Sequence, residues 1–389
     1  MDNQRITLLT LLDLSAVFNT VPHDRFLTRL GSEYGISGTA LQWFASYFRD
    51  RYQTVNIRDA MSCAQQLSTG MPQGSGTGPW GYTKYTGPLG SLIRILRILY
   101  HMFADDTQLH TSCDPNSVTA QVQARTSIEN CITKISDWMS INRLKLNSDK
   151  TEFMILGTRQ QLAKMQYGAI SVAGEVIQAK PCVRNLGVYM DAEMKMDAHV
   201  QHVVRVCNGK LREIASFRRY LSQDVTKTLV HAVIISHIDY ANSLLFGISQ
   251  HLLDKLQRVQ NAAARLILGY KRHESISPGL KKLHWLSVRY RIQFKIATIT
   301  FKVLSTNEPG YLRKLLHIQP PTRTRRSNQG LVLHVPKSNL KCAGDRAFSI
   351  CAPRIWNSLP VTVKSSKSLQ EFKINLKTCY FRNAYGHLL

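Results

Sequence analysis

The sequence predicts an α+β chain, with antiparallel strands backed by helices in the first half and an all-helical, basic second half. Three observations lead there. The run Ile98-Leu99-Tyr100-His101-Met102-Phe103 reads as a strand and Thr107-Gln108-Leu109-His110 as its return, which puts Asp105 and Asp106 at the tip of a hairpin. Ile6-Thr7-Leu8-Leu9-Thr10-Leu11-Leu12 is a continuous apolar run that fits a strand covered on both faces, although periodicity leaves a buried helix open. Farther on, Leu252, Leu253, Leu256, Val259, Ala263, Leu266 and Ile267 recur at helical spacing, and Val225 to Leu245 and Val288 to Leu304 read the same way.

The acids are the first candidates for chemistry. Adjacent carboxylates such as Asp105 and Asp106 raise each other's pKa, so a fold that gathers them usually supplies a cation. A strand-tip acid pair suits divalent-metal phosphoryl transfer, while the bland alternative is a solvated turn. Asp13, delivered at the end of the first apolar run, is either a helix N-cap or a metal ligand, and capping is the commoner role for one such acid. Between these acids lies Gly70-Met71-Pro72-Gln73-Gly74-Ser75-Gly76-Thr77-Gly78-Pro79, whose glycines let backbone approach a ligand closely; a flexible surface loop is the competing reading.

In order, these pieces resemble the palm of a reverse transcriptase. Asp13-Leu14-Ser15-Ala16-Val17-Phe18 looks like motif A, Gly70-Met71-Pro72-Gln73-Gly74 like motif B, and Phe103-Ala104-Asp105-Asp106 like motif C. Trp138, Asn142 and Leu144-Lys145-Leu146-Asn147-Ser148-Asp149-Lys150-Thr151-Glu152 match motif D, and Asn185-Leu186-Gly187-Val188 the primer-grip turn of motif E. The wording is that of non-LTR retrotransposon (LINE) polymerases, especially the Jockey-like group. The likeness continues through Leu283 to Arg291 and Arg346-Ala347-Phe348 to Trp356-Asn357-Ser358-Leu359-Pro360. It implies a right-hand polymerase palm over residues 1–195 with incomplete fingers, an all-helical thumb-like domain over 196–305, and a basic C-terminal region over 306–389.

The resemblance also implies a reaction, RNA-directed DNA polymerisation, in which a primer 3′-hydroxyl attacks the α-phosphate of a dNTP and pyrophosphate leaves. Two Mg²⁺ ions, or Mn²⁺ in their place, would be held by Asp13, Asp105 and Asp106. Phe18 matches the steric gate against a 2′-hydroxyl, with core packing as its alternative, and Gln73 and Gly74 would lie near the nucleotide. Lys150 would protonate or stabilise the pyrophosphate; a surface lysine on a turn is the alternative. The partners implied are an RNA template, a DNA primer or target, and dNTPs.

Charge supplies an independent argument. Of the net +25, residues 1–200 carry 19 Lys and Arg against 17 Asp and Glu, whereas residues 201–389 carry 31 against 8. A basic half of this strength is the footprint of phosphate-backbone binding. A membrane span is excluded because no run reaches about 18 uninterrupted apolar residues. Lys255, Arg258, Arg265, Arg289 and Arg291 on the expected helices, with Arg323, Arg325 and Arg326 in a Pro- and Arg-rich loop, are the candidate nucleic-acid contacts. The eight cysteines form no CxxC pair, which argues against a zinc knuckle and fits reduced thiols. With no secretory signal, an intracellular place in nucleus or cytoplasm is expected.

Departures from the family pattern are equally plain. The chain opens about a dozen residues before motif A, so the upstream fingers and an apurinic-type endonuclease are expected to be missing. Within motif A, the usual Phe-Asp-x-Val-Asp-His is here Phe18-Asn19-Thr20-Val21-Pro22-His23, losing two acids, and Ser75 to Lys84 is expected to break a buried helix after motif B. A truncated, catalytically silent remnant that only binds nucleic acid is therefore the alternative to an enzyme.

Overall fold

A computed structural model describes residues 4–15, 17–72, 74–319, 331–340 and 344–386, excluding the side chains of Ser15, Val17 and Phe18. The chain divides into two compact units, Gln4–Val183 and Arg184–Leu389. It is mixed α+β: the first unit is built on a sheet and the second on helices.

The first unit contains β1 (Ile6–Ser15), α1 (His23–Tyr34), α2 (Gly38–Phe48), α3 (Gly78–Ile95), β2 (Leu99–Phe103), β3 (Asp106–Cys113), α4 (Val118–Ile141) and β4 (Lys145–Leu156). The four strands form an antiparallel sheet in the order β2-β3-β1-β4. In β1 the even positions Ile6, Leu8, Thr10, Leu12 and Leu14 are buried, and Thr7, Leu11 and Asp13 lie on the other, more open face. Buried positions of α3 and α4, among them Tyr82, Tyr85, Leu89, Ile128 and Ile132, share a core with that apolar face.

The helix α3 corrects the expectation of a broken segment. It runs for 18 residues despite Gly81, Gly87, Gly90 and Pro88. Its three glycines from Gly81 on sit where neighbours press close: a Cβ at Gly81 would lie 3.2 Å from both Met71 Cε and Phe26 Cζ, one at Gly90 2.9 Å from the Tyr100 hydroxyl, and one at Gly87 would clash with the Tyr34 hydroxyl. Pro88 lacks the N–H that would reach the carbonyl of Lys84, and the Tyr34 hydroxyl donates to that carbonyl instead, at 2.8 Å. Lys84 stays off the packed face, its ammonium 4.7 Å from the Tyr34 ring centroid. Packing has overridden propensity.

Two hairpins follow, β5 (Ala169–Val172) with β6 (Glu175–Gln178), and β7 (Cys182–Asn185) with β8 (Val188–Asp191). The second unit holds α5 (Asp197–Phe217), α6 (Gln223–Val230), α7 (Gln250–Leu268), α8 (Val288–Thr306), α9 (Phe348–Ser358) and α10 (Leu369–Tyr385). The expected helices near 250–267 and 288–304 are α7 and α8. Val225 to Leu245, read as one helix, is instead α6, a π-helical turn at His231–Ile235, a short helix Ser236–Asp239 and a 3-10 turn Asn242–Leu245. The break falls where Tyr240 is extended and Ala241 adopts φ 49°. One apolar core runs from Val188 to Tyr385, so Leu316, Leu333, α9 and α10 pack with the helices before them, and Phe301 stacks on Phe372 at 4.3 Å.

Among the described residues no helix is long and apolar enough to cross a membrane, and the seven described cysteines are free thiols; Cys342 lies outside the described residues. In urea unfolding, Gly81→Val should destabilise the chain by about 1–3 kcal/mol through overpacking, and Tyr34→Phe by about 1 kcal/mol through the stranded Lys84 carbonyl. Thr83→Ala, on the solvent face of α3, should stay within about 0.5 kcal/mol.

Candidate active site

Sheet register decides where the acids meet. Leu12 pairs with Thr107, so the next position in the antiparallel ladder sets Asp13 beside Asp106. Side chains directly opposite share a face, with Cα atoms about 4.5–5.5 Å apart. Thr107 and Leu12 are both buried, so Asp13 and Asp106 both emerge on the open face. Asp13 is a strand residue paired with Asn147 on the other side, which settles the N-cap alternative against capping.

Phe103 pairs with Asp106, leaving Ala104 and Asp105 as a two-residue turn, with Ala104 at φ 54°. That left-handed conformation is one an alanine adopts only under constraint, at about 1–2 kcal/mol. The Asp106 carboxyl is pushed above the ordinary carboxylate value by burial of its inner flank, then by the charges of Asp105 and Asp13. Beneath them the buried Tyr82 phenol is raised well above its ordinary value by burial, with Asp105 the next cause, so it stays protonated.

A divalent cation fits this arrangement on one direct observation. Asp13 Oδ2 is buried and has no hydrogen-bond partner among the described residues, although it belongs to a group that calls for one. Among the described residues no group of three or more His, Cys, Asp or Glu side chains is placed to hold a metal ion by itself. For a hard cation that keeps water and takes substrate phosphates, two or three carboxylates on one face are enough.

Lys150 lies on β4, the strand that pairs with β1 at Asp13. From Leu11–Glu152 to Asp13–Asn147 the register advances two residues in β1 and five in β4, so Ser148 to Thr151 bulge out. Asn147 holds the bulge: its Oδ1 accepts from the Lys150 backbone N–H at 3.3 Å, and its carbonyl from the Thr151 hydroxyl at 2.7 Å. Lys150 is exposed there and its ammonium makes no ion pair among the described residues.

The start of the glycine-rich loop is tied to the segment after β1. Gly70 N–H donates to the Val21 carbonyl at 2.8 Å, His23 N–H to Ser68 at 3.2 Å, and His23 Nε2 to the Gly70 carbonyl at 2.8 Å. His23 also stacks on Phe48 at 4.4 Å, and burial lowers its pKa, so the ring is neutral and structural. Gly74, at φ 78°, takes a backbone conformation that favours glycine. Gln73, and the side chain of Phe18, fall outside the described residues.

Residues 1–190 match the family profile described as Reverse transcriptase (RNA-dependent DNA polymerase). The first half of the chain is thus similar to reverse transcriptases. Its curated relatives are mobile-element proteins. A probable RNA-directed DNA polymerase from transposon BS of Drosophila melanogaster is 23% identical over 272 residues, covering 66% of this chain and 28% of that protein. The RNA-directed DNA polymerase from mobile element jockey of Drosophila funebris is 22% identical over 282 residues, 69% and 30% respectively. A probable RNA-directed DNA polymerase from transposon X-element of Drosophila melanogaster is 23% identical over 230 residues, 58% and 24%. The chain thus spans less than a third of the length of these relatives. Among solved structures, a telomerase from Candida albicans with a fragment of telomeric RNA aligns over 70% of this chain and 48% of that one, at 12% identity. Its TM-score of 0.32 carries no further argument.

The remaining matched motifs do structural work. Asn142 is buried; its Nδ2 donates to the Trp138 carbonyl at 2.7 Å, its Oδ1 accepts from Arg29 Nη2 at 2.8 Å, and its carbonyl accepts from the Tyr85 hydroxyl at 2.8 Å. The Arg29 guanidinium lies over both the Tyr85 and Trp138 rings. In the second unit, the turn Leu186–Gly187 has positive φ at both residues, as a two-residue hairpin requires, and the Tyr240 hydroxyl donates to the Leu186 carbonyl at 2.5 Å.

The expected nucleic-acid contacts divide. Lys255 and Arg258 project from α7 without an ion pair among the described residues. Arg265 donates to the Glu274 carbonyl at 3.1 Å and Arg289 to Gln250 Oε1 at 3.1 Å. Arg291 is committed to Asp239 through a two-pronged pair. Arg323, Arg325 and Arg326 lie outside the described residues.

The sequence reading missed the cavity of about 510 Å³ beside the glycine-rich loop, whose walls include Asn19, His23, Arg51, Tyr52 and Gly70. The bridge between Pro22 and Thr69 and the hydrogen bonds of His23 and Gly70 bring these distant residues together, so no local pattern marks them.

The Asp106 carboxyl titrates higher folded than unfolded, so its charge penalises folding above the folded value and not below the ordinary value of 3.8. In chelator at pH 7, Asp106→Asn should raise the melting temperature by about 1–2 °C. The gap should close as pH falls below the ordinary carboxylate range, which a calorimetric pH series reads directly.

Proposed function

We propose that this chain is the polymerase part of a Jockey-like non-LTR element and carries out RNA-directed DNA synthesis. Residues 1–195 act as a palm, 196–305 as a thumb-like helical domain, and 306–389 as a basic extension that packs with it. The observation that carries this reading is the register placing Asp13 and Asp106 side by side on the open sheet face, with Asp105 in the adjoining turn.

Asp13, Asp105 and Asp106 would hold divalent metal, two Mg²⁺ or Mn²⁺ in their place, which when bound supplies charge stabilisation for the attacking and leaving oxygens. The chain's own groups do the rest. Gly74 and Gln73 admit the nucleotide to close backbone approach, and Phe18 bounds the sugar against a 2′-hydroxyl. Lys150, on its bulge one strand from Asp13, stabilises or protonates the departing pyrophosphate. Lys255 and Arg258 hold template and primer phosphates.

A second reading, a silent remnant that only binds nucleic acid, draws support from Asn19 and Pro22, which stand where acids are usual within motif A. Primer extension on poly(rA)/oligo(dT) with Mg²⁺ separates the two. The expected outcome is incorporation that falls by more than about 100-fold in the Asp105→Ala, Asp106→Ala double variant. Equal incorporation by both proteins, including none from either, rejects the enzyme reading.

A further inference from the structure

The second unit contains a cavity of about 620 Å³ that belongs to none of the matched catalytic motifs. Its lining brings Lys227 from α6, Lys295 from α8 and Lys377 from α10 around one opening, and all three are exposed, without an ion pair among the described residues. The acid in the wall, Asp239, is already neutralised: Arg291 Nε donates to its Oδ1 at 2.8 Å and the guanidinium's Nη2 to its Oδ2. An anion entering the cavity therefore meets three uncompensated ammonium groups and no free carboxylate among its lining residues.

The wall is also shaped for more than a bare phosphate. Its floor includes the buried Trp285, whose indole N–H donates to His231 Nε2 at 3.1 Å. His231 begins the π-helical turn, a rare irregularity that recurs at functional sites because it re-aims side chains. Burial, then Arg291 and Lys227, lowers the His231 pKa, which leaves its ring neutral and able to accept that indole bond. Phe294, half-buried, and the exposed His284 ring offer flat faces beside the lysines. The volume falls within the usual range of a small-molecule pocket, about 300–1,000 Å³.

We propose that this cavity receives one unpaired nucleotide of a nucleic-acid single strand, base inward and flanking phosphates on Lys227, Lys295 and Lys377. A duplex does not suit it, because the lysines stand around an opening on three helices and a stacked base pair cannot enter; recognition of splayed bases in single strands is the fitting mode. The inference is independent of catalysis, since it concerns binding by residues remote in sequence from the three acids.

The test uses the full chain and fluorescence anisotropy with labelled (rU)10, (dT)10 and a 10-bp duplex across a salt series. The Lys227→Ala, Lys295→Ala, Lys377→Ala variant should bind single strands about 10-fold more weakly, with a log–log salt slope shallower by about 2. Whether the loss appears on (rU)10, (dT)10 or both identifies the strand. Substituting Arg at the same three positions should restore binding, and a control variant, Lys302→Ala, Lys314→Ala, Lys337→Ala, should lose less than about 3-fold. Duplex affinity should be unchanged. Equal losses in the two alanine variants, or an equal loss on duplex, would overturn the proposal. The Asp105→Ala, Asp106→Ala protein should bind (rU)10 normally, so a failure of catalysis and a failure of the pocket are told apart.

Discussion

The register of the central strand is the constraint on which the candidate site depends. β1 is bonded on both sides, to β3 and β4, and its even-numbered side chains are buried with the helices of the first unit. A slip of one residue would expose Ile6, Leu8, Leu12 and Leu14 and turn Asp13 into the core. The apolar alternation and the position of the acids are thus one fact. Burying the leucines is what holds a cluster of mutually repelling carboxylates on the open face, where unaided they would separate.

Around that sheet, polar groups are satisfied by devices rather than by regular ladders. Tyr34 replaces the amide that Pro88 lacks, Asn142 ties α1, α3 and α4 through Arg29, Tyr85 and Trp138, and Asn147 pins the bulge that carries Lys150. Each is a buried or half-buried group whose loss would strand a partner, which is more costly than the bond itself is worth. The same logic explains why α3 keeps glycines in its packed face: helix propensity is given up for close approach to Phe26, Met71 and Tyr100.

The second unit works by charge and apolar packing together. One core joins the helices of residues 197–306 to those of 348–385, and the surplus lysines and arginines remain outside it. Not all of that charge is free for a ligand. Arg265, Arg289 and Arg291 are engaged within the unit, whereas Lys227, Lys295 and Lys377 are not, so net charge overstates the binding surface and says little about where it lies.

The sequence by itself determined the hairpin that presents Asp105 and Asp106, the strand ending near Asp13, the helices α7 and α8, and the family likeness that orders the motifs. Those features are local: alternation, helical period and turn residues act over a few neighbours. Only the tertiary structure decided that Asp13 is a strand residue beside Asp106, that Ser75 to Lys84 leads into and forms a whole helix, and that the segment from Val225 to Leu245 bends at a π-turn and again at Ala241. In each case the deciding partner lies far along the chain: Thr107 for the register, Phe26 and Tyr34 for α3, Leu186 and Arg291 for the bend. Contacts between such distant residues leave no periodic trace, because they are fixed by packing and hydrogen-bond satisfaction and not by the residues next door.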